Sequence, residues 1–100
     1  MMVAFDAPLW LWDARRTETW IFVSLPTDAS DEIRERSAPT RRGFGAVRVR
    51  ATIGTTSWRT SIFPSGGGGP YVLPVRAAVR RAESLEVGET AAVTVELLDL

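Results

Sequence analysis

A mainly β fold with two short helices, its six strands closed as a small barrel from two pseudo-twofold β-β-α-β halves, is what this sequence predicts. Three observations carry the prediction. Apolar and polar residues alternate with period two through most of the chain, the signature of half-buried strands. The order strand, strand, short helix, glycine turn, Val-x-Val strand occurs twice. The 100 residues suffice for one modest hydrophobic core and no second one. The expected domain therefore spans 1–100, with half-repeats near 1–53 and 54–100.

The first strand is read from Val3, Phe5, Ala7, Leu9 and Leu11, alternating with Ala4, Asp6, Pro8, Trp10 and Trp12. Asp13 to Arg16 is a polar turn. In the second strand, Glu18 to Leu25, Thr19, Ile21, Val23 and Leu25 share one face and Trp20 and Phe22 the other. Pro26 stops it, and Thr27-Asp28 opens a helix through Arg36 whose first turn holds acids, as the helix dipole favours. A loop over Ser37–Gly45 leads to Val47, Val49, Ala51 and Ile53, which alternate with Arg48, Arg50 and Thr52. Gly54 turns the chain into Thr56–Phe63, where Trp58, Thr60 and Ile62 alternate with Ser57, Arg59, Ser61 and Phe63. The glycine run between Pro64 and Pro70 can be neither helix nor inner strand. Tyr71–Pro74 is a short strand. Val75, Ala78, Val79 and Ala82 then lie on one helical face, and after Gly88 a last strand is read from Val93, Val95 and Leu97. Matching the halves places Leu25-Pro26 against Leu73-Pro74. Six such strands, capped by the helices, leave no exposed edge once closed.

Composition excludes more than it establishes. Hydrophobic residues are 45% and charged residues 24%, which is globular rather than disordered. Without cysteine there is no disulfide, thiolate nucleophile or Cys-based zinc site. Without histidine, the commonest general base and the commonest metal ligand are both missing. The apolar start is broken by Asp6 and follows no basic residue, so neither a secretory signal nor a membrane span is expected. The reading is a cytoplasmic protein with no membrane partner.

The balanced net charge hides an arrangement. Residues 1–36 hold seven acids against four arginines (−3), residues 37–82 hold eight arginines and no acid (+8), and residues 83–100 hold five acids and no base (−5). All twelve cations are arginine. An acid-free basic middle fits an anionic partner. The plainer reading, and the favoured one, is a sheet in which neighbouring strands pair these arginines with the acidic C-terminal segment.

Each candidate for chemistry has a plainer competitor. Asp28, Asp31, Glu32 and Glu35 share a helix face and could hold a hard cation, but capping and a Glu32–Arg36 pair account for them, so no metal is expected. Gly66–Gly69 lacks the lysine of a phosphate loop and is separated from the next helix by a strand and Pro74. Gly43-Phe44-Gly45 opens a strand, not the helix that a dinucleotide fingerprint needs. Ser57, Thr60, Ser61 and Tyr71 have no imidazole or lysine to activate them. No catalytic residue is expected, and no cofactor. What is left is an aromatic and arginine set: Trp58 and Arg59, with Arg48 and Arg50 on a neighbouring strand and Ser61, Tyr71 and Arg76 close by. Arginine would bind carboxylate or phosphate bidentately, and indole would stack a planar group. The competing reading makes the tryptophans core and end caps.

Phe5 with Leu9-Trp10, Trp20-Ile21-Phe22-Val23 and Leu25-Pro26, and Gly43-Phe44-Gly45-x-Val47-x-Val49 together resemble the bacterial domain of unknown function 1905 family. So do Ala51-Thr52-Ile53-Gly54, Trp58-Arg59-Thr60-Ser61 with Phe63-Pro64, and Tyr71-x-Leu73-Pro74-Val75. The resemblance covers nearly the whole chain. Arg76 stands where the family often has lysine, and Gly88-Glu89 where it often has Gly-Asp; both keep the charge. The resemblance implies a double-split β-barrel, related in fold to the AbrB/MazE transition-state regulators and antitoxins, and carries no activity with it. The functional expectation is a non-catalytic binding module whose arginine and tryptophan face takes an anionic or planar ligand. Two alternatives stand beside it: a small-molecule or enzymatic pocket near Trp58, Arg59 and Ser61, and a nucleic-acid-binding regulator. Candidate partners are an anionic small molecule, nucleic acid or another protein, with the chain a monomer or weak dimer.

Overall fold

The period-two runs fold as strands, and one of them is broken in two. A computed structural model describes residues 1–12, 20–38 and 45–98. The predicted turn at Asp13–Arg16 and most of the loop between Ser37 and Gly45 lie outside the described residues. In chain order the elements are β1 (Met2–Pro8), β2 (Trp10–Trp12), β3 (Trp20–Ser24), α1 (Thr27–Ser37), β4 (Val47–Ile53), β5 (Thr56–Pro64), β6 (Tyr71–Pro74), α2 (Ala77–Ala82) and β7 (Thr90–Leu97). The strands form a curled, half-barrel sheet in the order β1-β7-β4-β5-β6-β3-β2, every described pairing antiparallel.

Seven strands replace the expected six because the first one changes partner at Leu9. Pro8 ends the ladder with β7 opposite Thr90. Leu9 then donates its N–H to the Glu89 carbonyl at 2.9 Å and accepts from the Gly88 N–H at 2.8 Å. From Trp10 onward the chain pairs with β3. Leu9 is buried, but Leu11, expected on the same apolar face, is 49% exposed because the switch re-aims the short strand beyond it. β5 makes the same change without a break: Thr56–Ile62 pair with β4, and Phe63 and Pro64 pair with β6.

Inward positions supply the core. Val47, Val49, Ala51 and Ile53 of β4 and Ala91, Val93, Val95 and Leu97 of β7 are buried, as are Ile21, Val23 and Leu25 around β3. α1 contributes Ile33, fully buried, a burial that stabilises by roughly 1.5–3 kcal/mol. Its Ser30 hydroxyl accepts the Tyr71 N–H at 3.0 Å, satisfying a backbone donor that is itself buried. Within α2 only Val79 is buried; Ala78 and Ala82, expected on the same face, are exposed.

The pairings are unchanged when β1–β2 is exchanged with β5, β3 with β6 and β4 with β7. Hydrogen bonds fix the match between residues. Leu25 N–H donates to Tyr71 carbonyl as Val75 N–H does to Ile21 carbonyl, at 2.9 and 2.8 Å. Ser30 N–H donates to Pro26 carbonyl as Arg80 N–H does to Arg76 carbonyl, at 2.9 and 3.0 Å. Leu25-Pro26 thus corresponds to Val75-Arg76, not to Leu73-Pro74. The helix entry sets the register, and the second proline falls two residues ahead of it.

Candidate binding cleft

Strand alternation builds an aromatic surface on the outer face of β2 and β3. With Ile21 and Val23 pointing inward, Trp20 and Phe22 must point out. In the β2–β3 ladder Trp10 lies opposite Phe22 and Trp12 opposite Trp20. The Trp10 and Phe22 rings are 5.2 Å apart and tilted; those of Trp20 and Phe22 are 6.1 Å apart and stacked within 16°. The Trp10 indole Nε1 donates to Ser24 Oγ at 3.0 Å, which fixes its ring. Phe63, the first β5 residue to pair with β6, stands opposite Val72 and completes a groove of about 520 Å³ with these four aromatics. Trp12, Trp20 and Phe63 are 48%, 44% and 40% exposed, a contiguous apolar surface of the kind that marks binding sites.

A second depression, of about 560 Å³, adjoins the first and shares Trp20 and Phe63 with it. The β5–β6 ladder ends after Pro64 and Phe63, and the cleft opens between Thr60 of β5 and Pro74 at the end of β6. Arg76 and Arg80 form its other wall. Four residues apart across the start of α2, they lie on one side of the turn. Arg80 Nη1 donates to the Val75 carbonyl at 2.9 Å, which holds that guanidinium at the rim. Arg76 is exposed. Among the described residues no Asp or Glu lines either depression.

The predicted site residues separate into three places. Arg48, Arg50, Arg59 and Ser61 share the outer face of β4 and β5, Arg48 opposite Ser61 and Arg50 opposite Arg59. Arg50 pairs with Glu96 of β7 at 3.4 Å, so the acidic C-terminal segment does reach one of them. Trp58 lies on the opposite, inner face against Ala51, half-buried, its Nε1 buried without a hydrogen-bond partner among the described residues. Tyr71 is fully buried in the core; its hydroxyl likewise has no partner among the described residues, and the Arg34 guanidinium sits 5.4 Å from the ring centroid. Only Arg76 lines the cleft. Trp20, Phe63 and Arg80, its other principal residues, were outside the predicted set. Two of the four helix carboxylates are engaged with arginines, Asp31 with Arg34 at 3.1 Å and Glu32 with Arg36 at 2.9 Å, while Asp28 Oδ1 accepts the Ala29 N–H at 2.8 Å. Among the described residues no group of acids could hold a metal ion, and no helix is long and apolar enough to cross a membrane.

Chemically, the cleft offers two permanent cations and two exposed π-faces. Among its described lining residues there is no carboxylate or imidazole to take a proton, and the one side-chain hydroxyl is that of Thr60. Curled antiparallel sheet, paired helices and a one-sided aromatic groove ending in arginines define a small mainly β domain with a candidate binding face. The sequence profile of the family described as Domain of unknown function (DUF1905) matches residues 5–95. The chain belongs to that family. No curated protein matches it.

Proposed function

We propose that this domain is a double-split barrel of two pseudo-twofold halves, near 1–53 and 54–100, and that it acts as a non-catalytic binding module. Its ligand is anionic and planar, seated where Trp20 and Phe63 meet Arg76 and Arg80. One observation carries the reading: two guanidiniums and two exposed aromatic rings line one cleft that has no carboxylate among its described residues. An anionic group would take charge-assisted hydrogen bonds from the arginines, and a flat ring attached to it would lie against the aromatics. The pairing exchange among the strands supports the double-split reading, and with it the kinship to AbrB/MazE-like regulators.

Adenosine monophosphate, which joins a planar ring to a phosphate, tests the reading through tryptophan fluorescence. Saturable quenching is expected from stacking at Trp20. Arg76→Ala should weaken binding by roughly 10–100-fold, the worth of a charged hydrogen bond. Because Arg76 is exposed and makes no side-chain bond among the described residues, its thermal midpoint should stay within about 2 °C of the parent. Absence of quenching at millimolar nucleotide and at millimolar benzoate refutes the reading.

A further inference from the structure

The cleft is one end of a longer surface. On β5 the outward residues run Ser57, Arg59, Ser61, Phe63, so Arg59 stands on the same face as Phe63, roughly 13 Å along the strand. Beyond Phe63 the face continues through Val72 to Phe22, Trp20, Trp10 and Trp12. Arginines therefore stand beyond the Phe63 end of the aromatic groove: Arg76 and Arg80 in the adjoining cleft, and Arg59 farther along β5. Arg59 is exposed and has no ion-pair partner among the described residues, and its cross-strand neighbour is Arg50, a like charge. Like charges directly opposite destabilise a sheet. Glu96 relieves that cost on the Arg50 side only.

We infer that the anionic planar ligand is single-stranded nucleic acid, its bases stacked on Trp12, Trp20 and Phe63 and its phosphates facing Arg59, Arg76 and Arg80. The inference rests on the binding-module reading above and extends it from one nucleotide to several. Two features select this occupant. The groove has aromatic faces in a row, which take successive unpaired bases without regard to sequence, because every base has a π-face. The charge beyond its Phe63 end is positive, with no described acid lining the groove or the adjoining cleft, which complements a phosphate backbone leading away from the stacked bases. A duplex hides those base faces and would meet only the arginines.

Fluorescence anisotropy of a 5′-labelled 12-nucleotide oligothymidylate tests it, beside a hairpin duplex of the same length, at about 50 and 200 mM salt. Three phosphate contacts on a single strand predict a log–log salt slope near −2, hence about a 20-fold loss of affinity over that fourfold range. The single strand should bind at least tenfold more tightly than the duplex and than adenosine monophosphate. Trp12→Ala, at an exposed position of the end strand, should weaken the oligonucleotide by about 5–100-fold, the loss of one stacked base. Arg59→Ala should weaken it and reduce the salt slope by about 0.7, the share of one single-strand phosphate contact. Both variants should keep the parent's thermal midpoint, which separates lost contacts from lost folding. Equal binding of single strand and duplex overturns the inference, since it would show charge recognised without stacking. An oligonucleotide no tighter than adenosine monophosphate overturns it and leaves the single-site reading standing. Failure of both ligands overturns the two together.

Discussion

Gly54 and Glu83 form a coupled pair whose energetics can be worked from geometry. Gly54 closes the β4–β5 turn with φ of +59°, in the left-handed region. A Cβ added there would overlap Glu83 Oε1 and stand 2.7 Å from Glu83 Cδ. The Glu83 carboxylate is held where it is: Oε2 accepts from Thr56 Oγ1 at 2.6 Å and from Thr55 Oγ1 at 3.4 Å, tying the end of α2 to the turn. In Gly54→Ala the flexible carboxylate would swing away, so the overlap itself costs little, but the Thr56 bond goes with it. The left-handed backbone costs an alanine about 1 kcal/mol, and the lost charge-assisted bond about 1.5 kcal/mol. The expected loss is about 2–3 kcal/mol, or a fall of about 10–20 °C in thermal midpoint for a domain of this size. Glu83→Ala alone loses only the bond. In the double variant that bond is lost once instead of twice, so its cost should fall short of the sum of the single variants by about 1.5 kcal/mol. Urea unfolding of the four proteins measures the cycle. Additivity within about 0.5 kcal/mol would refute the reasoning, because the carboxylate would then have room to move without releasing Thr56.

Tyr71→Phe keeps the ring under Arg34 and the backbone bond to Ser30, and removes a buried hydroxyl that has no partner among the described residues. Stability should rise by about 1–2 kcal/mol, read as a higher urea midpoint at unchanged slope; a lower midpoint would refute this. Ser30→Ala leaves the Tyr71 N–H without its acceptor in a buried place and should cost about 1–3 kcal/mol. Hydrogen exchange at the Tyr71 amide should accelerate with it, and unchanged protection there would show another acceptor taking over.

Local patterning made most of the elements legible. β4 reads off the sequence because its arginines alternate with Val47, Val49, Ala51 and Ile53, and these point where alternation sends them. The same rule separates Trp58 from Arg59, because neighbours on a strand face opposite ways. It also places Tyr71 with Leu73 on the inner face of β6. The cleft is another matter. Trp20, Phe63 and Arg80 meet because β3 pairs with β6 and because β5 changes partner at Phe63. Both are long-range events with no local signature. The strand break at Leu9 was hinted at by Pro8, which cannot donate to a ladder, but the acceptor that captures the Leu9 N–H lies in the turn before β7.

The exchange of pairings has a consequence for valency. Of the six described strand pairings, β1 with β7, β4 with β5, β4 with β7 and β3 with β6 join one half to the other. A half-length chain would leave β1, β3 and β4 unpaired along those edges, and an identical copy would be the natural mate for all three. Such a dimer would show each of its surfaces twice. Carried in one chain, the halves are free to differ, and they do: by the register of the helix entries, Phe22 corresponds to Val72 and Trp20 to Pro70. Among the described residues the aromatic groove therefore occurs once. For the proposed ligand this predicts one-to-one stoichiometry, without a twin groove among those residues to bridge two ligands.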